Sequence, residues 1–81
     1  LDKYKKEIEL FIISVKEAVP NITKIDYKHD IESDEYFILH NLTPTEELKY
    51  EDIFGNLIYK HFFKHNIYNI SFGHNPELSI D

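Results

Sequence analysis

The spacing of apolar residues switches along the chain from helical to alternating, back to helical, and to alternating again. From Leu1 to Val19, the residues Tyr4, Ile8, Phe11, Ile12, Val15, Ala18 and Val19 recur three and four apart. Lys3, Lys5, Lys6, Glu7, Glu9, Lys16 and Glu17 fill much of the opposite face. This is the pattern of an amphipathic helix. Asp2 is its cap, and Pro20 ends it by pushing Val19 out of the helical region. Leu10 and Ile13 widen the apolar stripe, so cover on more than one side is expected.

Asn21 to His29 then alternates, with Thr23, Ile25 and Tyr27 on one face and Lys24, Asp26 and Lys28 on the other. That reads as a strand with one wet side. Asp30 to Asp34 is an acidic turn, and Glu35 to Asn41 is a second strand. The two predict an antiparallel hairpin with a loop longer than two residues. On the second strand Phe37 and Leu39 share one face, while Tyr36, Ile38 and His40 share the other. With the first pair turned to the core, Tyr36 and Ile38 lie outward as a small apolar patch.

Thr43 to Asn66 is the clearest helical signal. Thr43 caps, Pro44 takes the first helical position and Glu46 reaches back, which is a capping box with proline in its favoured place. Glu46, Glu47, Glu51 and Asp52 crowd the positive end of the dipole; Lys60, His61, Lys64 and His65 crowd the negative end. Leu48, Ile53, Phe54, Leu57, Ile58, Phe62 and Phe63 form the apolar stripe, and Asn66 suits the left-handed residue that ends a helix. The span is about 33 Å at 1.5 Å per residue, long for so small a domain. A bend or separate first turn around Pro44–Leu48, or a break at Gly55, would shorten it. Glycine within a helix costs about 1 kcal/mol against alanine and lets another backbone approach closely. Ile67 to Phe72 is a third strand, with Tyr68, Ile70 and Phe72 on one face and Ile67, Asn69 and Ser71 on the other. Gly73 ends it, and His74 to Asp81 reads as a loose tail.

The expected fold class is α+β: a two-layer α-β-β-α-β domain over residues 1–73, with two helices packed on one face of a three-stranded mixed sheet. The second helix carries the chain to a strand parallel to one member of the hairpin, by a right-handed crossover. This element order resembles that of KH-like and BolA-like small domains, and the KH resemblance implies nucleic-acid binding. The KH clamp is a Gly-x-x-Gly loop, however, and the two glycines here are Gly55 and Gly73.

Length and composition narrow the functions. Eighty-one residues make one domain with one modest core. Six phenylalanines and six tyrosines supply that core, and no cysteine is present to add a disulfide or a thiolate metal site. No apolar run approaches the ~18 residues of a membrane span. The chain holds no methionine, so residue 1 is not expected to be the native start, and a targeting segment upstream of it is open. A cytoplasmic protein is the expectation. The net charge is −6, and every basic residue is lysine. Duplex DNA binding rests on a basic footprint and base readout on the arginine fork, and neither is here. Acidity keeps a protein soluble, or lets it meet a basic partner. The weight of Ile, Lys, Asn, Tyr and Phe is what AT-rich codons give.

Candidate chemistry is sparse. His61 and His65, four apart on one helix, could direct two rings at a transition metal. Phe62 stands where the zinc-protease pattern needs glutamate, and a third ligand would have to come from His74 or the C-terminal acids. The bland reading is two histidines favouring the helix dipole. Asp30, Glu32, Asp34 and Glu35 cluster in the hairpin turn, but the EF-hand pattern fails: Glu35 replaces its turn glycine and Asn41 its bidentate glutamate. Asp26 and Glu35 on neighbouring strands would be a nuclease-type carboxylate pair lacking its usual lysine. Two isolated glycines build no phosphate loop. Ser14, Ser33, Ser71 and Ser79 lie in no Gly-x-Ser-x-Gly turn. The tyrosines have no basic stripe beside them for stacking on bases. No catalytic, cofactor-binding or metal residue is therefore assigned. The leading expectation is an acidic, non-enzymatic module that binds a protein or itself, as a twofold dimer through Tyr36, Ile38 and Ile67. Its rivals are a metal-dependent protein using His61 and His65, and a KH-like nucleic-acid binder.

Overall fold

The computed structural model describes residues 3–79, so the expected cap at Asp2 lies outside the described residues. The elements run α1 (Lys5–Ala18), β1 (Ile25–Asp30), β2 (Glu35–His40), α2 (Pro44–Lys49), α3 (Glu51–His61), a 3-10 turn (Phe63–His65), β3 (Ile70–His74) and a second 3-10 turn (Pro76–Ser79). The fold is α+β, with a mixed sheet ordered β1-β2-β3. β2 is central, antiparallel to β1 and parallel to β3.

α1 buries Ile8, Phe11 and Val15, the inner line of its expected stripe. Leu10 and Ile13 stay exposed, so α1 is covered on one side. Phe11 meets Phe62 and Phe72 at ring-centroid distances of 5.0 and 5.1 Å, locking α1 to the end of α3 and to β3. Tyr4 packs edge-on against Tyr36 at 5.5 Å. Val19, Ile22, Ile38, Leu42, Phe54 and Ile67 complete the core.

The long helix is two helices. Thr43 makes the expected capping box, its hydroxyl accepting from the Glu46 N–H while Glu46 accepts from the Thr43 N–H, with Pro44 at the first helical position. Those bonds hold the Glu46 carboxyl below its ordinary range. The helix they start lasts only to Lys49. At Tyr50 the backbone leaves helical geometry (φ −114°, ψ 11°) and its N–H turns to the Glu47 carbonyl. α3 then begins with Glu51 and Asp52, and Gly55 sits inside it without a break. The bend tilts α2 back over the end of β2, bringing Glu47 onto His40. Asn66 is left-handed, as expected (φ 62°). Its N–H bonds to the Phe63 carbonyl and that of Ile67 to the Phe62 carbonyl, the two bonds of a Schellman motif. The hydrophobic contact that goes with this motif explains why Ile67 and Phe62 are both buried. Ile67 thus lies inside, rather than on an outer sheet face, and β3 begins at Ile70 and runs through Gly73 to His74.

The largest departure from expectation is the facing of β2. Tyr36, Ile38 and His40 are buried, and Phe37 and Leu39 are half-buried on the opposite face. The hairpin pairs Asp30 with Glu35 around a four-residue turn, Ile31 to Asp34, and this sets Tyr27 opposite Ile38 and Ile25 opposite His40. The expected outward patch of Tyr36, Ile38 and Ile67 does not exist.

Candidate protein-binding face

The helices occupy one side of the sheet. β2 gives Tyr36 to α1 and His40 to α3, and β3 gives Phe72 to both. The other side follows from the alternation of strand residues. It carries Asp26, Lys28 and Asp30 on β1, Glu35, Phe37 and Leu39 on β2, and Ser71 and Gly73 on β3. Lys28, Asp30, Phe37 and Leu39 line a shallow open depression of about 570 Å³. The Lys28 ammonium stands 6.0 Å from the Phe37 ring centroid, an exposed cation–π contact. The face is thus an apolar ridge on the central strand beside an edge row of alternating charge: Asp26, Lys28, Asp30.

Behind the sheet lies a polar cluster that sequence reasoning missed. Among the described residues, His40 is the one fully buried polar side chain. Its Nε2 is 2.6 Å from Glu47 Oε2, and its Nδ1 accepts the Leu42 N–H at 3.1 Å. The neutral ring satisfies both contacts, with Nε2–H donating to the carboxylate. A second proton on Nδ1 would meet the Leu42 N–H head-on. Burial holds His40 below its ordinary value, against the opposing pull of Glu47. The His74 ring donates from Nδ1 to the Leu42 carbonyl, so the two histidines hold both backbone polar groups of Leu42. The cluster anchors the β2–α2 junction. The signal for it in the sequence was an ionisable residue at the end of an apolar strand, seven residues before a glutamate of the next helix.

The other candidates separate. His61 ends α3 while His65 belongs to the 3-10 turn, so they do not share one continuous helix. His61 Nε2 is 3.1 Å from Ser14 Oγ, and its ring meets Phe11 edge-on. Burial, then Lys60 and His65, lower its pKa. The Ser14–His61 contact ties α1 to α3. No group of three or more His, Cys, Asp or Glu able to hold a metal occurs among the described residues.

Two acids of the hairpin turn, Asp30 and Asp34, help to close it. Asp30 accepts the Glu32 N–H, and Asp34, left-handed at φ 55°, pairs with His29 at 2.8 Å. Asp26 faces Leu39 in the ladder, four residues from Glu35, so these two carboxylates do not pair; the ladder partner of Glu35 is Asp30. No helix among the described residues is long and apolar enough to cross a membrane. Compared with protein-family models, with curated proteins and with solved structures, the chain matches none.

Proposed function

We propose that this chain is a non-catalytic protein-binding module of the cytoplasm that pairs with a second copy of itself through the uncovered sheet face. The observation that carries the reading is that Phe37 and Leu39 are held on the side of the sheet away from the helices. Sheets bury such faces by packing against another layer about 10 Å away. The charges beside the ridge are their own complement. A twofold axis crossing the strands lays β1 of one copy antiparallel over β1 of the other. Lys28 of each copy then meets Asp26 or Asp30 of its partner, and the two apolar ridges meet between them. This is the self-complementary contact of a twofold dimer. A face with three carboxylates, Asp26, Asp30 and Glu35, to one ammonium disfavours nucleic acid.

Two half-buried apolar residues per copy support only a modest affinity, with Kd about 10–100 μM. Sedimentation equilibrium across that range tests it. The expected mass rises from monomer toward dimer with concentration, and Leu39→Lys returns it to monomer without lowering the melting temperature. A monomer mass throughout, or a dimer indifferent to Leu39→Lys, overturns the reading.

A further inference from the structure

On the helical side a second surface stands open, and it depends on nothing in the dimer. A groove of about 260 Å³ is lined by Glu47, Leu48, Glu51, Phe54, Gly55, Ile58 and Phe72, between α2, α3 and β3. Its floor is Phe54, Ile58 and Phe72, and its rim carries two carboxylates. Gly55 is the informative residue. Glycine in mid-helix costs about 1 kcal/mol against alanine. Nothing in the fold requires it: its φ is not positive, and a Cβ built there meets no atom within 4 Å. Glu51, Gly55 and Ile58 fall at i, i+4 and i+7, one flank of α3. The missing side chain therefore keeps that flank low where the groove passes.

β3 supplies the second feature. It is an edge strand, hydrogen-bonded on one side only. The Asn69 carbonyl accepts from Tyr36 and the Asn75 N–H donates to His40, the two ends of the ladder to β2. In a parallel ladder alternate residues face the partner strand. Residues 69, 71, 73 and 75 are spent on β2, and the N–H and C=O groups of Ile70, Phe72 and His74 point to the free edge. Phe72, whose side chain floors the groove, lies at the centre of that edge.

We infer that β3 and the Gly55 groove bind an extended peptide segment of another protein, one apolar residue flanked by lysine or arginine, added to the sheet as a fourth strand. Each part of the chemistry has its receptor. The free edge supplies main-chain hydrogen bonds, as in strand addition generally. The groove lies below the ~300–1,000 Å³ of small-molecule pockets and suits one anchoring side chain. Glu51 is exposed at the rim, and Glu47 keeps one oxygen beyond its bond to His40, so the rim selects cations. The Gly55 flank leaves room for the incoming backbone.

Selection from a random dodecapeptide display library on the immobilised protein tests this, with Gly55→Leu and Glu51→Lys as comparisons. The expected selectants carry two or more basic residues around an apolar one. Their binding weakens at least tenfold in Gly55→Leu, which keeps or gains thermal stability because its side chain enters open space and a better helix former. Glu51→Lys weakens it at least threefold, and the amides of Ile70, Phe72 and His74 gain hydrogen-exchange protection in the complex. No enrichment, selectants without basic residues, undiminished binding to folded Gly55→Leu, or protection gained around Phe37 and Leu39 instead would overturn the inference.

Discussion

Replacing His40 with leucine should lower stability by about 2 kcal/mol at pH 7.5, and the gap to the parent protein should narrow as the pH falls. Leucine fills most of the ring's place against Phe72 (4.8 Å between centroids) and Phe54 (5.9 Å). The Leu42 N–H, however, loses its acceptor, and an orphaned buried donor costs about 1–3 kcal/mol. Glu47 is partly exposed and can turn to water, so its loss adds little. The pH dependence follows from linkage. The groups facing His40 are Glu47 from α2 and His74 from β3; α3 offers Phe54 and β1 its ladder partner Ile25. With its folded pKa lowered, His40 stays neutral while the unfolded chain takes up a proton near its ordinary value of 6.5. The stability it contributes is complete above that value and declines as the pH falls below it, toward the folded pKa. From pH 7.5 to 5.5 the decline reaches at most about 1.4 kcal/mol, one pKa unit's worth. His61 behaves alike in both proteins and cancels in the difference. Urea melts followed by far-UV circular dichroism at the two pH values measure the gap. Parallel curves would show that His40 is not held neutral. A gap that widens in acid would show a protonated His40 paired with Glu47, and would refute the assignment of its tautomer.

Thr43→Ala should cost about 1 kcal/mol in the same melts, the usual loss of a cap; an unchanged midpoint would mean that the first turn of α2 is frayed. Gly55→Ala should stabilise by about 1 kcal/mol, since the backbone is helical and the added methyl meets open space; a loss of stability would reveal a contact at that flank. Calorimetry at neutral pH should find no submicromolar zinc site, because two histidines on separate helical segments leave a stable site one or two ligands short. A tight site abolished by His61→Ala would restore the metal-dependent reading.

What was legible in the sequence was local. The capping box at Thr43, the left-handed Asn66, the hairpin and the amphipathic α1 each rest on residues within a turn or two of one another, and each stands in the structure. The division of the long helix was legible in part: a separate first turn around Pro44–Leu48 was expected, and α2 ends at Lys49, but the other expected break, at Gly55, is absent. Gly55, the weakest helix former in it, lies unbroken in α3, and the chain bends at Tyr50, a tolerable helical residue. The bend goes with a contact across the fold, that of Glu47 with His40, seven residues back on β2. Ile67 shows the same limit, since its burial comes from the motif that ends the preceding turn, while its alternation with Asn69 and Ser71 suggests a strand face.

The facing of β2 was lost to a single residue in the turn. From Tyr36 to Leu39 both parities are apolar, so hydrophobicity alone does not choose between them. A five-residue turn, Asp30 to Asp34, would set His29 against Glu35 and Tyr27 against Phe37, sending Tyr36 and Ile38 outward. The observed four-residue turn sets Asp30 against Glu35 and Tyr27 against Ile38. Because side chains alternate with a period of two, that slip of one exchanges the whole inner set for the outer. Two details hold the shorter turn. Asp34 takes up a left-handed conformation and its carboxylate bonds to His29, and the His29 ring stacks on Tyr36 at 4.1 Å, placing both on the inner face. The same register delivers His40 to Glu47 and leaves Phe37 and Leu39 outside. A variant that lengthens the turn by one residue therefore sets two demands against each other. It must either bulge to keep the register or turn His40 to solvent, stripping the β2–α2 junction of its anchor. The bulge is the expected outcome, because it sacrifices one ladder position while the slip exposes Tyr36, Ile38 and His40 together. Amide exchange reads the choice directly. Continued protection of the Leu42 N–H in the lengthened variant supports the bulge; its loss, with protection retained along β2, would show that register rather than the His40 cluster is what the turn controls.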